Sequence, residues 1–285
     1  MSDASHPDWI IDTTDESFEN DVILASQNQV VLVDFWASWC QPCRLLAPNL
    51  EDAVSRFNGD VRLVKVNTEV APETAQSFQV ESIPIVYAFT DGKPIDYFQG
   101  VIEADEIAAW IEQLQIHRNI MSADSLTDTD PAAAVEAWNT LLAKDGENAI
   151  LQIGLARALS LNGRTNEAAA LIDKLEERGF LEPEAEKVKA IITLSSGSED
   201  SDLTSARSKY AENPNNHQCA MEFAEALAAA NEYEEAFQIA IDVYAADKLG
   251  VGKNAHQFLL TAFKALPEDD ELVHKYRRKL AMLMY

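Results

Sequence analysis

The sequence predicts an α/β domain over residues 1–118 followed by an all-α repeat domain over residues 119–285. Three observations predict it. Strand-like runs of β-branched and aromatic residues alternate with helical spacing in the first part. From Asn119 onward strand patterns vanish and Ala, Leu and Glu dominate segments of helical length. Residues in the second part also recur at a constant displacement. A length of 285 exceeds the usual single core, so two domains are the default, and 47% apolar residues suffice to pack both.

In the first part, Val30 to Trp36 is a continuous β-branched and aromatic run, the pattern of a strand buried on both faces of a sheet. Cys40 to Asn58 places Leu45, Leu46, Leu50, Val54 and Phe57 at helical spacing, and Asn58-Gly59 supplies the stop. Val61 to Asn67 is the next strand. Pro84 to Thr90 and Lys93 to Gln99 flank Asp91-Gly92, a hairpin turn signal because both residues tolerate positive φ. Ala104 to Ile116 closes this part as an amphipathic helix.

In the second part, Ala156, Leu159, Gly163 and Ala168 recur as Ala224, Leu227, Asn231 and Ala236, each displaced by 68 residues, twice 34. A 34-residue period with small residues at two fixed places and a helix-breaking turn between them is the signature of tetratricopeptide (TPR) repeats. Alanine lets the two helices of a hairpin approach, and Gly or Asn ends the first. Ala190 and Gly197 fit the intervening register, whereas Asp202 stands where a small residue is expected, so the middle repeat is degenerate. Ala134 and Trp138 fit the second helix of a partial repeat beginning near Pro131, and Ser195 to Ser201 reads as a surface loop. Solenoid-like stacking is expected. Its inward positions, Ile153, Arg157, Met221 and Glu225, lack the cluster of donors that a carboxylate clamp needs.

Forty-eight Asp and Glu against 22 Lys and Arg give a net charge of −26. Residues 1–118 carry −14 and residues 119–285 carry −12. Such a field repels phosphate backbones and anionic headgroups, which excludes nucleic acid and membrane surfaces as main partners. Met1 to Asp8 has neither the basic region nor the apolar run of a secretory signal, and no apolar stretch approaches the ~20 residues that span a bilayer. A cytoplasmic location is expected.

Trp39-Cys40-Gln41-Pro42-Cys43-Arg44 follows the buried strand and opens the helix. A cysteine at a helix N-terminus faces unpaired N–H groups and the positive end of the helix dipole, which stabilise thiolate. Cys40 is therefore the expected nucleophile. Two intervening residues return Cys43 on the same turn, placed to resolve a mixed disulfide by intramolecular attack, and Pro42 suits a first turn that needs no N–H there. Zinc would require two further ligands, and no second Cys pair or regularly spaced His pair is present, so neither metal nor separate cofactor is expected beyond a redox-active Cys40–Cys43 disulfide. Cys219 reads as a small core residue.

These residues resemble a thioredoxin domain over about 110 residues. Val33-Asp34-Phe35-Trp36-Ala37 precedes the cysteines, Pro48 sits where thioredoxins kink the helix, Ile83-Pro84 matches the cis-proline segment facing the dithiol, and Gly100 matches the glycine of the client groove. The resemblance implies that Asp34 is a buried acid able to accept the Cys43 proton, with Lys65 as its charged neighbour. It further implies that Trp39, Gln41, Pro42, Ile83, Pro84 and Gly100 contact clients. Thioredoxins usually carry Gly where this chain has Gln41, and the intervening pair tunes the potential, so direction and strength of exchange stay open.

After Pro267, Asp269 to Tyr285 places Leu272, Tyr276, Leu280 and Leu283 on one stripe with Lys275, Arg277, Arg278 and Lys279 beside it. Basic residues late in a helix complement its dipole; they also suit a docking helix, cationic on an acidic body. A thioredoxin domain, degenerate TPR repeats and this ending together resemble the bacterial chaperedoxin (CnoX/YbbN) family over the whole chain. That resemblance implies a co-chaperone that holds unfolding clients, protects or exchanges their cysteines, and passes them to GroEL/GroES or DnaK. It makes Lys275, Tyr276, Arg277, Arg278 and Lys279 the chaperonin-docking residues. Thiol-disulfide oxidoreductase activity would then accompany holding. Two other readings stay open: a dedicated disulfide reductase recycled by thioredoxin reductase or another thiol reductant, and a non-catalytic TPR scaffold.

Overall fold

Five strands form one mixed sheet: β1 (Ile10–Thr13), β2 (Val30–Trp36), β3 (Val61–Asn67), β4 (Ile85–Thr90) and β5 (Lys93–Gln99). Their order is β1-β3-β2-β4-β5, with β3 parallel to β1 and β2, and β4 antiparallel to β2 and β5. This computed structural model describes residues 7–196, 203–267 and 269–284. Gly197, Asp202, residues 197–201 of the expected Ser195–Ser201 loop, and Tyr285 lie outside the described residues; Ser195 and Ser196 end a helix. The chain divides into two units, Met1–Met121 and Ser122–Tyr285.

In the first unit, α1 (Gln41–Ser55), α2 (Pro72–Ser77) and the start of α3 (Ala104–Thr129) accompany the sheet. Central β2 explains why Val30 to Phe35 is buried throughout. Side chains alternate along it. Val30 and Leu32 pack with Leu46, Leu50 and Val54 of α1 and with Ile107 and Ile111 of α3. Val31, Val33 and Phe35 face the opposite side, against Phe18, Val22 and Phe78. Asp34, two residues past Leu32, therefore faces α1. So does its register partner Lys65, two residues past Leu63 on β3.

Three elements here had no sequence expectation. β1 has four residues, a helical stretch runs from Glu19 to Gln27, and α2 has six, all too short for a periodic signal. α2 is held from a distance: the Asp15 carboxylate accepts the backbone N–H of Thr74 at 2.7 Å and its Oγ1 hydroxyl at 2.6 Å.

The expected closing helix Ala104 to Ile116 is longer, running to Thr129 through the 121/122 division. No Gly or Pro interrupts residues 117–129, so nothing stops it before Asp130-Pro131. Asp130 then caps the next helix, accepting the Ala133 N–H at 3.1 Å.

The second unit continues with α4 (Pro131–Leu142), α5 (Ala149–Leu161), α6 (Thr165–Glu176), α7 (Pro183–Ser196), α8 (Leu203–Glu212), α9 (His217–Ala229), α10 (Tyr233–Ala246), α11 (Gly252–Ala265) and α12 (Glu271–Met284). Helices α5, α7 and α9 start 34 residues apart, and α11 follows at 252. The repeat alanines Ala156, Ala168, Ala224 and Ala236 are fully buried. Gly163 and Asn231 turn the chain with φ of 75° and 64°, the left-handed conformation a helix stop requires. Stacking departs from a simple solenoid, because α7 packs on α11 as well as on α5 and α6. Helix α8 packs on α9. Lys264 of α11 reaches Glu186 of α7 at 2.9 Å.

Candidate active site

The strand-to-helix turn after β2 builds the site. Cys40 is the N-cap of α1, with extended φ and ψ of −81° and 104°, and its Sγ accepts the backbone N–H of Cys43 at 3.2 Å. Pro42 sits in the first turn. Cys40 and Cys43 form a disulfide, and both are buried with Ala37 against Trp36 and Ile83. Around this buried bond the surface is open: Trp39 is 66% exposed, and Gln41 and Pro42 are exposed. The Ile83–Pro84 peptide is cis, and the Pro84 carbonyl accepts the Gly100 N–H at 3.0 Å. Gly100 has φ of 94°, and no atom lies near where a Cβ would stand.

Two contacts that sequence reasoning missed brace the turn. Ser38 Oγ donates to Glu69 at 2.8 Å, and Arg44 Nη2 donates to the Ser38 carbonyl at 3.0 Å.

Asp34 is 2% exposed, and its Oδ1 has no hydrogen-bond partner. Burial pushes its carboxyl up to about 7; the Lys65 charge opposes this and the Glu51 charge reinforces it. Lys65 is the register neighbour of Asp34, as the resemblance implies, but its ammonium bonds elsewhere. It donates to Glu51 Oε1 at 2.9 Å and lies 5.9 Å from the Trp36 ring centroid. Glu51 was not among the expected site residues. Its position at i+8 from Cys43, on the α1 face that carries Cys43, was the available signal.

The thioredoxin family model matches residues 9–113, and two tetratricopeptide repeat models match residues 125–192 and 196–285. A thioredoxin of Mycobacterium tuberculosis is 46% identical over 90 residues, covering 32% of this chain and 76% of that protein. A thioredoxin of Staphylococcus saprophyticus is 38% identical over 104 residues, 36% of this chain and 96% of that protein. The chain belongs to the thioredoxin family. An uncharacterized protein of Mycobacterium bovis is 30% identical over 207 residues, 71% of this chain and 66% of that protein, a similarity longer than the thioredoxin unit alone. The chain is thus a thioredoxin-like redox domain with a Cys-X-X-Cys disulfide, followed by TPR repeats.

Outside the thioredoxin unit, α12 differs from expectation. Tyr276 is 2% exposed, its ring against Phe237 and its hydroxyl 3.3 Å from both the Glu234 carbonyl and Gln238 Oε1. It is a core residue, because its stripe faces α10. Lys275 is ion-paired with Glu234 at 2.6 Å, Lys279 donates to Gln238 at 2.7 Å, and Arg277 reaches the Phe263 carbonyl at 3.5 Å. Arg278 is exposed and bonds its own helix at His274. The exposed apolar side chains here are Met282, 78%, and Met284, 54%.

One further sequence expectation shifts. Cys219 is half-buried in the first turn of α9 rather than in the core, since the core face there belongs to Ala220 and Phe223. Of the inward repeat positions, Ile153 and Met221 are buried, and Arg157 binds Asp124 at 2.8 Å and Asp128 at 2.5 Å. Among the described residues no helix is long and apolar enough to cross a membrane.

Proposed function

We propose that this chain is a redox-active co-chaperone of the chaperedoxin type, in which the thioredoxin unit exchanges disulfides with unfolding clients that the protein also holds. The observation that carries the reading is the Cys40–Cys43 pair at a helix N-terminus, ringed by exposed Trp39 and Pro42 on a chain that continues into TPR repeats. In the reduced form, the Cys40 thiolate attacks a client disulfide, forms a mixed disulfide and releases one client thiolate. Cys43 gives its proton to the Asp34 carboxylate and attacks Cys40 Sγ; the mixed bond breaks, and the second client sulfur leaves as thiolate. Two electrons pass to the client, and a dithiol reductant such as thioredoxin reductase restores the enzyme. Trp39, Gln41, Pro42, Ile83, Pro84 and Gly100 are the proposed client contacts.

GroEL/GroES and DnaK are the proposed receivers of held clients. With Tyr276 buried, the docking surface moves to exposed Arg277 and Arg278 and to Met282 and Met284 at the end of α12.

The deciding experiment separates the two activities. Cys40→Ser is expected to abolish disulfide reduction while suppression of client aggregation persists; equal loss of both would sink the co-chaperone reading and favour a dedicated reductase. Cys43→Ala leaves the Cys40 adduct unresolved and lets clients be captured covalently.

A further inference from the structure

The ammonium of Lys65 has two carboxylates within its reach and hydrogen-bonds one of them. Asp34 sits beside it in strand register, facing the same side of the sheet. Glu51 approaches from α1 and takes the hydrogen bond at 2.9 Å, in a pair whose side chains are only 16% and 28% exposed. Asp34 Oδ1 is left buried and unpartnered. Among the described residues the charges that act on Asp34 are those of Lys65 and Glu51: β4 offers Val86 as its register partner, and α3 offers Ile107 and Ile111. Cys43, on α1, is the other group that titrates there once the disulfide is reduced.

We propose that Glu51 is a positioning residue for the exchange reaction: by binding Lys65 it withholds that cation from Asp34 and leaves the Asp34 carboxyl free to take the Cys43 proton. This rests on the reading of Asp34 as proton acceptor. In the step concerned, Cys43 S–H loses its proton to Asp34, its electron pair forms the S–S bond to Cys40, and the Cys40–client bond breaks with both electrons leaving on the client sulfur. Asp34 then releases the proton to solvent. A carboxylate already bonded to an ammonium holds protons poorly, because the opposite charge favours its ionised form. Glu51 acts against that on two counts. It occupies the ammonium, and its own negative charge disfavours a second one nearby.

The test uses the full chain in its oxidised form, where neither motif cysteine titrates. Carbon-13 NMR of the Asp34 carboxyl, assigned with Asp34→Asn, gives its titration midpoint directly. Glu51→Gln is expected to lower that midpoint by about one pH unit, the scale on which one nearby charge acts. The lowering should shrink in a Lys65→Gln background and disappear in Glu51→Asp, which keeps the charge. In the reduced protein, the pH profile of mixed-disulfide resolution should move to lower pH by the same amount. An unchanged or raised midpoint in Glu51→Gln overturns the proposal. Should that variant fail to fold, Glu51→Ala removes the same carboxylate and is read by the same criterion. If Asp34→Asn leaves the resolution rate and its pH profile unaltered, the proton-acceptor role fails instead, and the midpoint still reports whether Glu51 holds Lys65.

Discussion

Replacing Asp34 by alanine removes a carboxyl that the fold buries almost completely and leaves with one unpartnered oxygen. Its ordinary value of 3.8 rises to about 7 in the native state, chiefly through burial. Below pH 3.8 the group is protonated whether the chain is folded or not, and no charge has to be buried. As pH rises from there the unfolded chain ionises first, so native stability falls, and the loss is complete once pH passes the folded value. The full difference corresponds to about 4 kcal/mol at pH 8, at about 1.4 kcal/mol per unit. Truncation to alanine loses about 1 kcal/mol of packing, so Asp34→Ala is expected to stabilise the oxidised protein by about 3 kcal/mol at pH 8. At pH 5 most of that gain is gone, because the folded carboxyl is then protonated. Urea unfolding followed by tryptophan fluorescence measures this, since four of the five tryptophans, Trp9, Trp36, Trp39 and Trp110, lie in the thioredoxin unit. A stability difference that stays flat to within about 0.5 kcal/mol from pH 5 to pH 8 would refute the assignment of a raised, burial-driven proton affinity.

Gly154→Ala is expected to destabilise the helical unit by about 2 kcal/mol, because its Cβ would stand 2.6 Å from two carbons of the Trp138 ring. That ring is fixed by its Nε1 donating to Thr127 Oγ1 at 3.0 Å, and an unchanged helical melting curve would show that the indole yields. Tyr276→Ala should cost about 3 kcal/mol or more as a core truncation, whereas Arg278→Ala should leave the melting temperature unmoved and weaken chaperonin capture. The reverse order in calorimetry would mean that α12 is held by its basic face. Met282→Asp together with Met284→Asp should reduce co-purification with the chaperonin without altering disulfide reduction, and intact capture would remove those side chains from the docking surface.

The α/β part was legible because its signals are local. An uninterrupted β-branched run gives the central strand, Asp91-Gly92 gives the hairpin, and the Cys-Gln-Pro-Cys segment gives the N-cap turn, each within a few residues. The repeats were legible because Gly163 and Asn231 must adopt the same left-handed turn, leaving a trace at fixed displacement. What was hidden depends on partners distant in the chain. Helix α2 is held by Asp15, 59 residues from Thr74, and no propensity within residues 72–77 announces it. The α7–α11 contact breaks a nearest-neighbour rule that the period alone would have enforced. Glu51 and Lys65 are 14 residues apart on different elements, so their pairing follows only once α1 is laid over β3.

Two site cations meet carboxylates that the sequence reading did not name, and one physical cause underlies both. With 48 acidic residues against 22 basic ones, a cation on this chain stands among competing carboxylates, and neighbours in space decide which one it meets. Lys65 lies beside Asp34 in register, as expected, and hydrogen-bonds Glu51; Lys275 pairs with Glu234. Arg56 behaves likewise, bridging Asp52 and Asp105, and Arg157 bridges Asp124 and Asp128. A cluster of basic letters therefore overstates the free positive surface of such a protein, since cations such as Lys65, Arg157 and Lys275 are ion-paired within their own unit. The same surplus of acid has the opposite effect at the redox site. Because a second carboxylate takes the Lys65 hydrogen bond, the Lys65 charge acts on Asp34 without bonding its buried Oδ1, and a buried acid so placed is the kind of group that can exchange a proton near neutrality.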